Sequence, residues 1–88
     1  MKILWTPRAK EEYLYWSKTN KKVLGAINDL IKDITRSPFK GLGKPEPLKY
    51  KLQGWWSRRI TRQDRLVYRV TGSGNNQQVE IAQCRYHY

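Results

Sequence analysis

The sequence predicts an α+β domain: a short N-terminal strand, then two helices packed on one face of a mainly antiparallel, twisted sheet. Three observations lead there. Apolar residues at helical spacing fill two consecutive stretches before Ser37-Pro38. From Trp56 onward the pattern changes to short segments rich in β-formers and separated by turn residues. The length of 88 residues suits one domain spanning 1–88, with one modest core.

Lys2-Ile3-Leu4-Trp5 reads as the opening strand. Thr6-Pro7 then supplies a helix start, with threonine as N-cap and proline at the first helical position. Ala9, Tyr13 and Trp16 follow at helical spacing and predict a buried aromatic stripe. Lys18-Thr19-Asn20 breaks this helix, and Thr19 or Asn20 can cap the next. There Val23, Ile27, Leu30, Ile31 and Ile34 make one apolar face, while Asp29 and Asp33 read as part of a solvated, ion-paired surface. Ser37-Pro38 ends the second helix, and Phe39 to Leu48 reads as a loop. The segments Trp56 to Ile60, Arg65 to Val70 and Val79 to Tyr86 are predicted strands, the last two joined by a hairpin connection at Gly72 to Asn76. Alternation sets Arg65, Val67 and Arg69 on one side of the middle strand and Leu66, Tyr68 and Val70 on the other. With helices on one face, the opposite, basic face is left for function.

Composition narrows the partners. Lysine and arginine total 18 against 7 acids, a formal charge of +11 spread over the whole chain. Such a domain suits polyanions, with RNA, DNA or ribosomes foremost and an acidic protein partner compatible with them. No apolar run approaches the ~20 residues of a membrane span, and no signal peptide is evident. Cys84 is the single cysteine, so an internal disulfide is excluded, and it reads as a buried thiol. One histidine, one cysteine and scattered acids match no zinc or two-metal spacing. A reducing, cytoplasmic setting is expected.

Three features carry the chemistry. The only histidine, His87, stands between Tyr86 and Tyr88, directly after a predicted strand. Histidine exchanges protons near neutrality, and a C-terminal segment frays unless it is tied down, so His87 reads as a positioned group. Gly41-Leu42-Gly43-Lys44 is not a phosphate loop, because Pro45 follows the lysine where Ser or Thr should open a helix. The better feature is Pro45-Glu46-Pro47, whose flanking prolines hold the carboxylate on a stiff, extended segment. Taken alone, Glu46 reads equally as a surface residue paired with Lys44 or Lys49. Finally, Trp55-Trp56-Ser57-Arg58-Arg59-Ile60-Thr61 and Arg62-Gln63-Asp64-Arg65 concentrate arginines, many of them expected to be solvated or phosphate-bound. One tryptophan of the pair is expected in the core and the other is a candidate base-stacking surface.

These residues carry a family resemblance. Pro45-Glu46-Pro47-Leu48-Lys49, Trp56-Ser57-Arg58-Arg59-Ile60-Thr61, Arg65-Leu66-Val67-Tyr68 and Cys84-Arg85-Tyr86-His87-Tyr88 resemble the Txe/YoeB family of toxins, part of the RelE-like superfamily of ribosome-dependent mRNA endonucleases. Tyr13-Leu14-Tyr15-Trp16 and Asn28-Asp29-Leu30-Ile31-Lys32-Asp33 extend it through the helices, and Gly72 to Gln78 departs from it as a longer turn. The resemblance implies the RelE-like microbial RNase fold and cleavage of mRNA in the A site of the 70S ribosome, without metal or cofactor. It implies Glu46 as general base, Arg65 as phosphate clamp and His87 as general acid. Lys49, Arg59 and Tyr88, with Lys51 beside them, are expected to bind flanking RNA. It further implies a cognate antitoxin with an acidic flexible segment, and allows a homodimer. Loss of the last two residues is expected to abolish cleavage and leave the fold largely intact. Two rival readings are a non-catalytic basic module that binds RNA or the ribosome, and a domain that captures an acidic peptide. Neither requires the Pro-Glu-Pro loop or the lone histidine.

Overall fold

Two helices lie against a five-stranded sheet in the computed structural model, which describes residues 1–87. The elements are β1 (Lys2–Trp5), α1 (Pro7–Thr19), α2 (Lys21–Arg36), β2 (Glu46–Pro47), β3 (Trp56–Arg59), β4 (Arg65–Thr71) and β5 (Gln78–Gln83), with single 3₁₀ turns at Tyr50–Leu52 and Gly74–Asn76. The sheet order is β1-β5-β4-β3-β2. Pairs β2–β3, β3–β4 and β4–β5 are antiparallel, and β1 joins β5 in parallel. The α+β architecture is the one the sequence predicts.

Both helix starts follow local chemistry. The Thr6 hydroxyl accepts from Ala9 N at 3.1 Å and donates to Ala82 O at 3.1 Å, so one side chain caps α1 and ties it to β5. Asn20 serves two helices. Its N–H donates to Trp16 O at 2.9 Å to close α1, and its Oδ1 accepts from Lys22 N and Val23 N, each at 3.1 Å, to open α2. Val23, Ile27, Leu30 and Ile34 of α2 then enter a core shared with Ala9, Leu66, Tyr68, Val79, Ile81 and Cys84. Trp16, Tyr13 and Ile31 are only partly buried against it.

Four local readings are corrected. The segment 39–48 is not wholly loop, because Glu46–Pro47 pairs with β3. Proline is tolerated there because β2 is the sheet edge. The last strand stops at Gln83 rather than continuing to Tyr86. A register shift at Val67/Tyr68 already disturbs the β4–β5 ladder, and the chain beyond it turns into bends.

The third correction concerns Arg58, which is neither solvated nor bound to phosphate but fully buried. Nη1 donates to Asp33 Oδ2 at 2.6 Å and Leu42 O at 3.1 Å, Nη2 to Ser37 O at 2.6 Å and Lys40 O at 3.1 Å, and Nε to the Tyr68 hydroxyl at 3.1 Å. A guanidinium has five N–H donors, and all are used. The fourth is Asp33. It is ion-paired as expected, but with a buried partner and on a side chain only 21% exposed: Arg58 and Leu42 N (2.9 Å) both bind its Oδ2. The Leu42 hydrogen bond first, and Arg58 second, hold its carboxyl below the usual range. The 37–43 loop is thereby wrapped around one arginine. Gly41 and Gly43 have φ of 122° and 78°, and a Cβ on Gly41 would run into the Asp33 carboxylate.

Candidate active site on the open sheet face

Strand register places the candidate residues in two rows on the face away from the helices. Across antiparallel strands, paired residues project to the same side. Glu46 pairs with Ser57, Ser57 with Val67 and Val67 with Gln83, which makes one row. Two residues along, Arg59 pairs with Arg65, which starts the second row. Strand spacing puts the Glu46 and Arg65 backbones about 12 Å apart, two strands across and two residues along.

Each side chain is delivered differently. Glu46 is exposed on the edge strand. Its loop is fixed upstream by the Arg58 clamp and by Arg59 N donating to Gly43 O at 2.7 Å. Downstream, Leu48 N donates to Trp55 O at 2.9 Å. Arg65 is half-buried at the start of β4. Its Nη1 donates to Thr61 O at 3.0 Å, Arg62 O at 3.3 Å and Asp64 O at 3.0 Å. That arm is anchored on the β3–β4 turn. Arg59 is exposed on β3.

The segment that carries His87 is tied down at several points. Cys84 N donates to the buried Glu12 carboxylate at 2.8 Å, and Cys84 O accepts from Trp16 Nε1 at 2.9 Å. The Gln83 amide reaches Arg85 O at 3.2 Å. Tyr86 N donates to Asp64 Oδ1 at 2.7 Å, and Tyr86 O accepts from Arg65 N at 3.0 Å. These two bonds hold Tyr86 at a left-handed φ of 67° beside Arg65. The Arg85 guanidinium sits 3.5 Å from the Tyr15 ring centroid and 4.5 Å from that of Tyr86. His87, exposed, follows directly from this clip. Tyr88 lies outside the described residues.

Sequence reasoning picked out Glu46, Arg59, Arg65 and His87, and the fold brings their segments to one end of the open face. Lys49 and Lys51 are exposed on the β2–β3 connection. The positioning residues Glu12, Arg58, Asp64 and Gln83 were missed. Only Thr61 to Asp64 left a local trace. The Thr61 hydroxyl accepts from Gln63 N at 3.1 Å and Asp64 N at 3.0 Å, a turn pattern that Thr-x-x-Asp could have suggested. Of the tryptophans, Trp56 packs against the core and lies 4.8 Å from Phe39, and Trp55 stacks on Arg69 at 4.5 Å. Arg69 also pairs with Glu80 at 2.7 Å. Cys84 is buried, and burial, with Glu12 and Asp64 nearby, pushes its thiol up to about 12. Among the described residues no group of acids, histidine and cysteine could hold a metal ion, and no helix is long and apolar enough to cross a membrane.

In chemical terms the two rows carry an exposed carboxylate and two guanidinium groups, with Ser57, Val67 and Gln83 buried between them, and an exposed imidazole follows the Tyr86 clip. That is a small basic α+β domain with acid–base and anion-binding groups on one sheet. A family model described as the YoeB-like toxin of bacterial type II toxin-antitoxin systems matches residues 5–88. The curated toxin YoeB of Escherichia coli K12 is 53% identical over 88 residues, covering all of both chains. A solved YoeB/ParE toxin from Agrobacterium tumefaciens superposes with a TM-score of 0.96 at 52% identity, again over all of both chains. The YoeB chain of a YoeB-YefM complex from Staphylococcus aureus matches with a TM-score of 0.87 at 45% identity, over 100% of this chain and 98% of that one. The chain belongs to the YoeB-like toxins, the toxin components of bacterial type II toxin-antitoxin systems.

Proposed function

We propose that the protein is a ribosome-dependent mRNA endonuclease that arrests translation by cutting in the A site. The observation that carries this reading is the pair of adjacent rows, one bearing Glu46 and the next Arg59 and Arg65, which ends at the clipped segment before His87. RNA brings its own nucleophile, the ribose 2′-hydroxyl. Glu46 takes the 2′ proton as that oxygen attacks phosphorus, and Arg65 stabilises the charge on the pentavalent phosphorane. His87 gives a proton to the departing 5′ oxygen. The products are a 2′,3′-cyclic phosphate and a 5′-hydroxyl, and proton exchange with water restores Glu46 and His87.

Glutamate is a weak base in water, so this mechanism needs the message bent and partly desolvated around Glu46, which is the role given to the ribosome. Lys49, Lys51, Arg59 and Tyr88 hold flanking RNA. The natural inhibitor is an antitoxin whose acidic, flexible segment covers this basic face in the cytoplasm.

The test is to add the purified protein to programmed ribosomes in EDTA and map the RNA ends. Cuts within the A-site codon that leave cyclic or 3′ phosphate and 5′-hydroxyl support the proposal. Binding without cleavage would replace it with the non-catalytic module. Equal, site-matched cutting of free mRNA would remove the ribosome dependence.

A further inference from the structure

Among the described residues Tyr50 is the most exposed large hydrophobic side chain, with 90% of its surface open. Its backbone is also tied down. Its φ of 58° is a left-handed conformation that bulky residues seldom adopt. The 3₁₀ turn enforces it: Leu52 N donates to Lys49 O and Gln53 N to Tyr50 O, each at 3.1 Å, and Trp55 N to Leu52 O at 3.0 Å. A ring presented to solvent on a strained but well-bonded backbone gains nothing for the core. Its surroundings indicate a ligand. Tyr50 lines a groove of about 630 Å³ whose walls also include Glu46, Lys49 and Lys51. Tyr50, Lys49, Lys51 and the candidate base Glu46 therefore border one open groove.

We infer that Tyr50 is a nucleobase-stacking subsite for an unpaired nucleotide flanking the scissile one, with Lys49 and Lys51 on the adjoining phosphates. This rests on the proposed RNA cleavage and adds a contact to it. Single-stranded RNA is recognised by a π-face interleaved with cations, because every base can stack and every link carries charge. Trp55 and Trp56 cannot serve here, since Arg69 and the core already occupy them.

The test measures equilibrium binding of wild type, Tyr50→Phe, Tyr50→Leu and Tyr50→Ala to ribosomes programmed with an uncleavable 2′-deoxy message, and KM and kcat on the cleavable one. Stacking predicts that Tyr50→Ala and Tyr50→Leu lose about 5- to 150-fold in affinity, while Tyr50→Phe stays near wild type. An abasic nucleotide at one flanking position should weaken wild type equally and leave Tyr50→Ala no weaker than before. Unchanged binding by Tyr50→Ala, equal losses in Tyr50→Phe and Tyr50→Ala, or a loss that no abasic position reproduces would each overturn the inference. So would a Tyr50→Ala defect confined to binding of an acidic antitoxin peptide. Failure of wild type to cut the normal message counts against the proposed function instead, and the binding arm reads Tyr50 regardless of that result.

Discussion

Arg58 Nη1 lies 2.6 Å from Asp33 Oδ2, and this pair joins the end of α2 to the loop that delivers Glu46. The arginine is wholly buried, yet its other donors reach three carbonyls and a tyrosine hydroxyl rather than solvent. The pair thus acts as the hub of the 37–43 loop, and the site inherits its rigidity.

Removing the hub should unfold the loop before it affects chemistry. Arg58→Ala leaves those carbonyls and the Asp33 charge without their partner, and is expected to cost about 3–5 kcal/mol in urea denaturation. The Asp33 carboxyl is held below its ordinary 3.8 in the folded protein. The unfolded chain therefore takes up its proton first. The stabilisation is present above pH ~4 and is lost as pH falls through the lowered value. Wild type and Asp33→Asn should differ in denaturation midpoint at pH 6, and the gap should narrow towards pH 3. A gap that stays constant would contradict the role given to this carboxylate.

The clip at Tyr86 is separable from the fold. Asp64→Ala removes the acceptor for Tyr86 N and is expected to cost about 1 kcal/mol of stability. Cleavage should fall far more, by about 10²-fold, because a misplacement near 1 Å at the reacting groups is enough. Asp64→Asn keeps an acceptor and should restore most of the rate. Parallel loss of stability and rate in both variants would show that the clip is only structural.

Salt dependence sorts the basic residues. Lys49→Ala and Arg59→Ala should each weaken RNA binding and lower its log–log salt slope by roughly 0.7, one phosphate contact apiece. Lys21→Ala, on the exposed start of α2, should leave the slope unchanged. Equal slopes in all three would remove the phosphate assignments.

Cys84 reports on the core. With its thiol raised to about 12 and wholly buried, native protein should resist iodoacetamide at pH 8 and react at the rate of a free thiol in urea. Fast native alkylation would mean that the packing of α1 on β5 is looser than described.

The order of elements was legible because each boundary has a local cause: Thr6-Pro7 starts a helix, Asn20 ends one and starts another, and Pro38 stops it. Glu46 and His87 were legible as unusual placements, a carboxylate between prolines and a lone imidazole after a strand. The supports were not. Glu12 reads as one more acid on a basic helix, and Arg58 as one more cation beside Arg59. Only tertiary contact separates them, since alternation turns one inward and the other outward along β3. β2 escaped for a related reason. Two residues, one of them proline, carry no strand signal until β3 is beside them.

Single-turnover cleavage on programmed ribosomes, with a message whose scissile 5′ oxygen is replaced by sulfur, tests the proton-donor assignment most directly. Thiolate leaves without a proton. On the normal message Glu46→Ala, Arg65→Ala and His87→Ala should each be slowed by about 10²–10⁴-fold. On the sulfur message the account predicts that His87→Ala alone recovers to near the wild-type rate. A His87→Ala variant that cuts the normal message like wild type, or that sulfur fails to rescue, would contradict it.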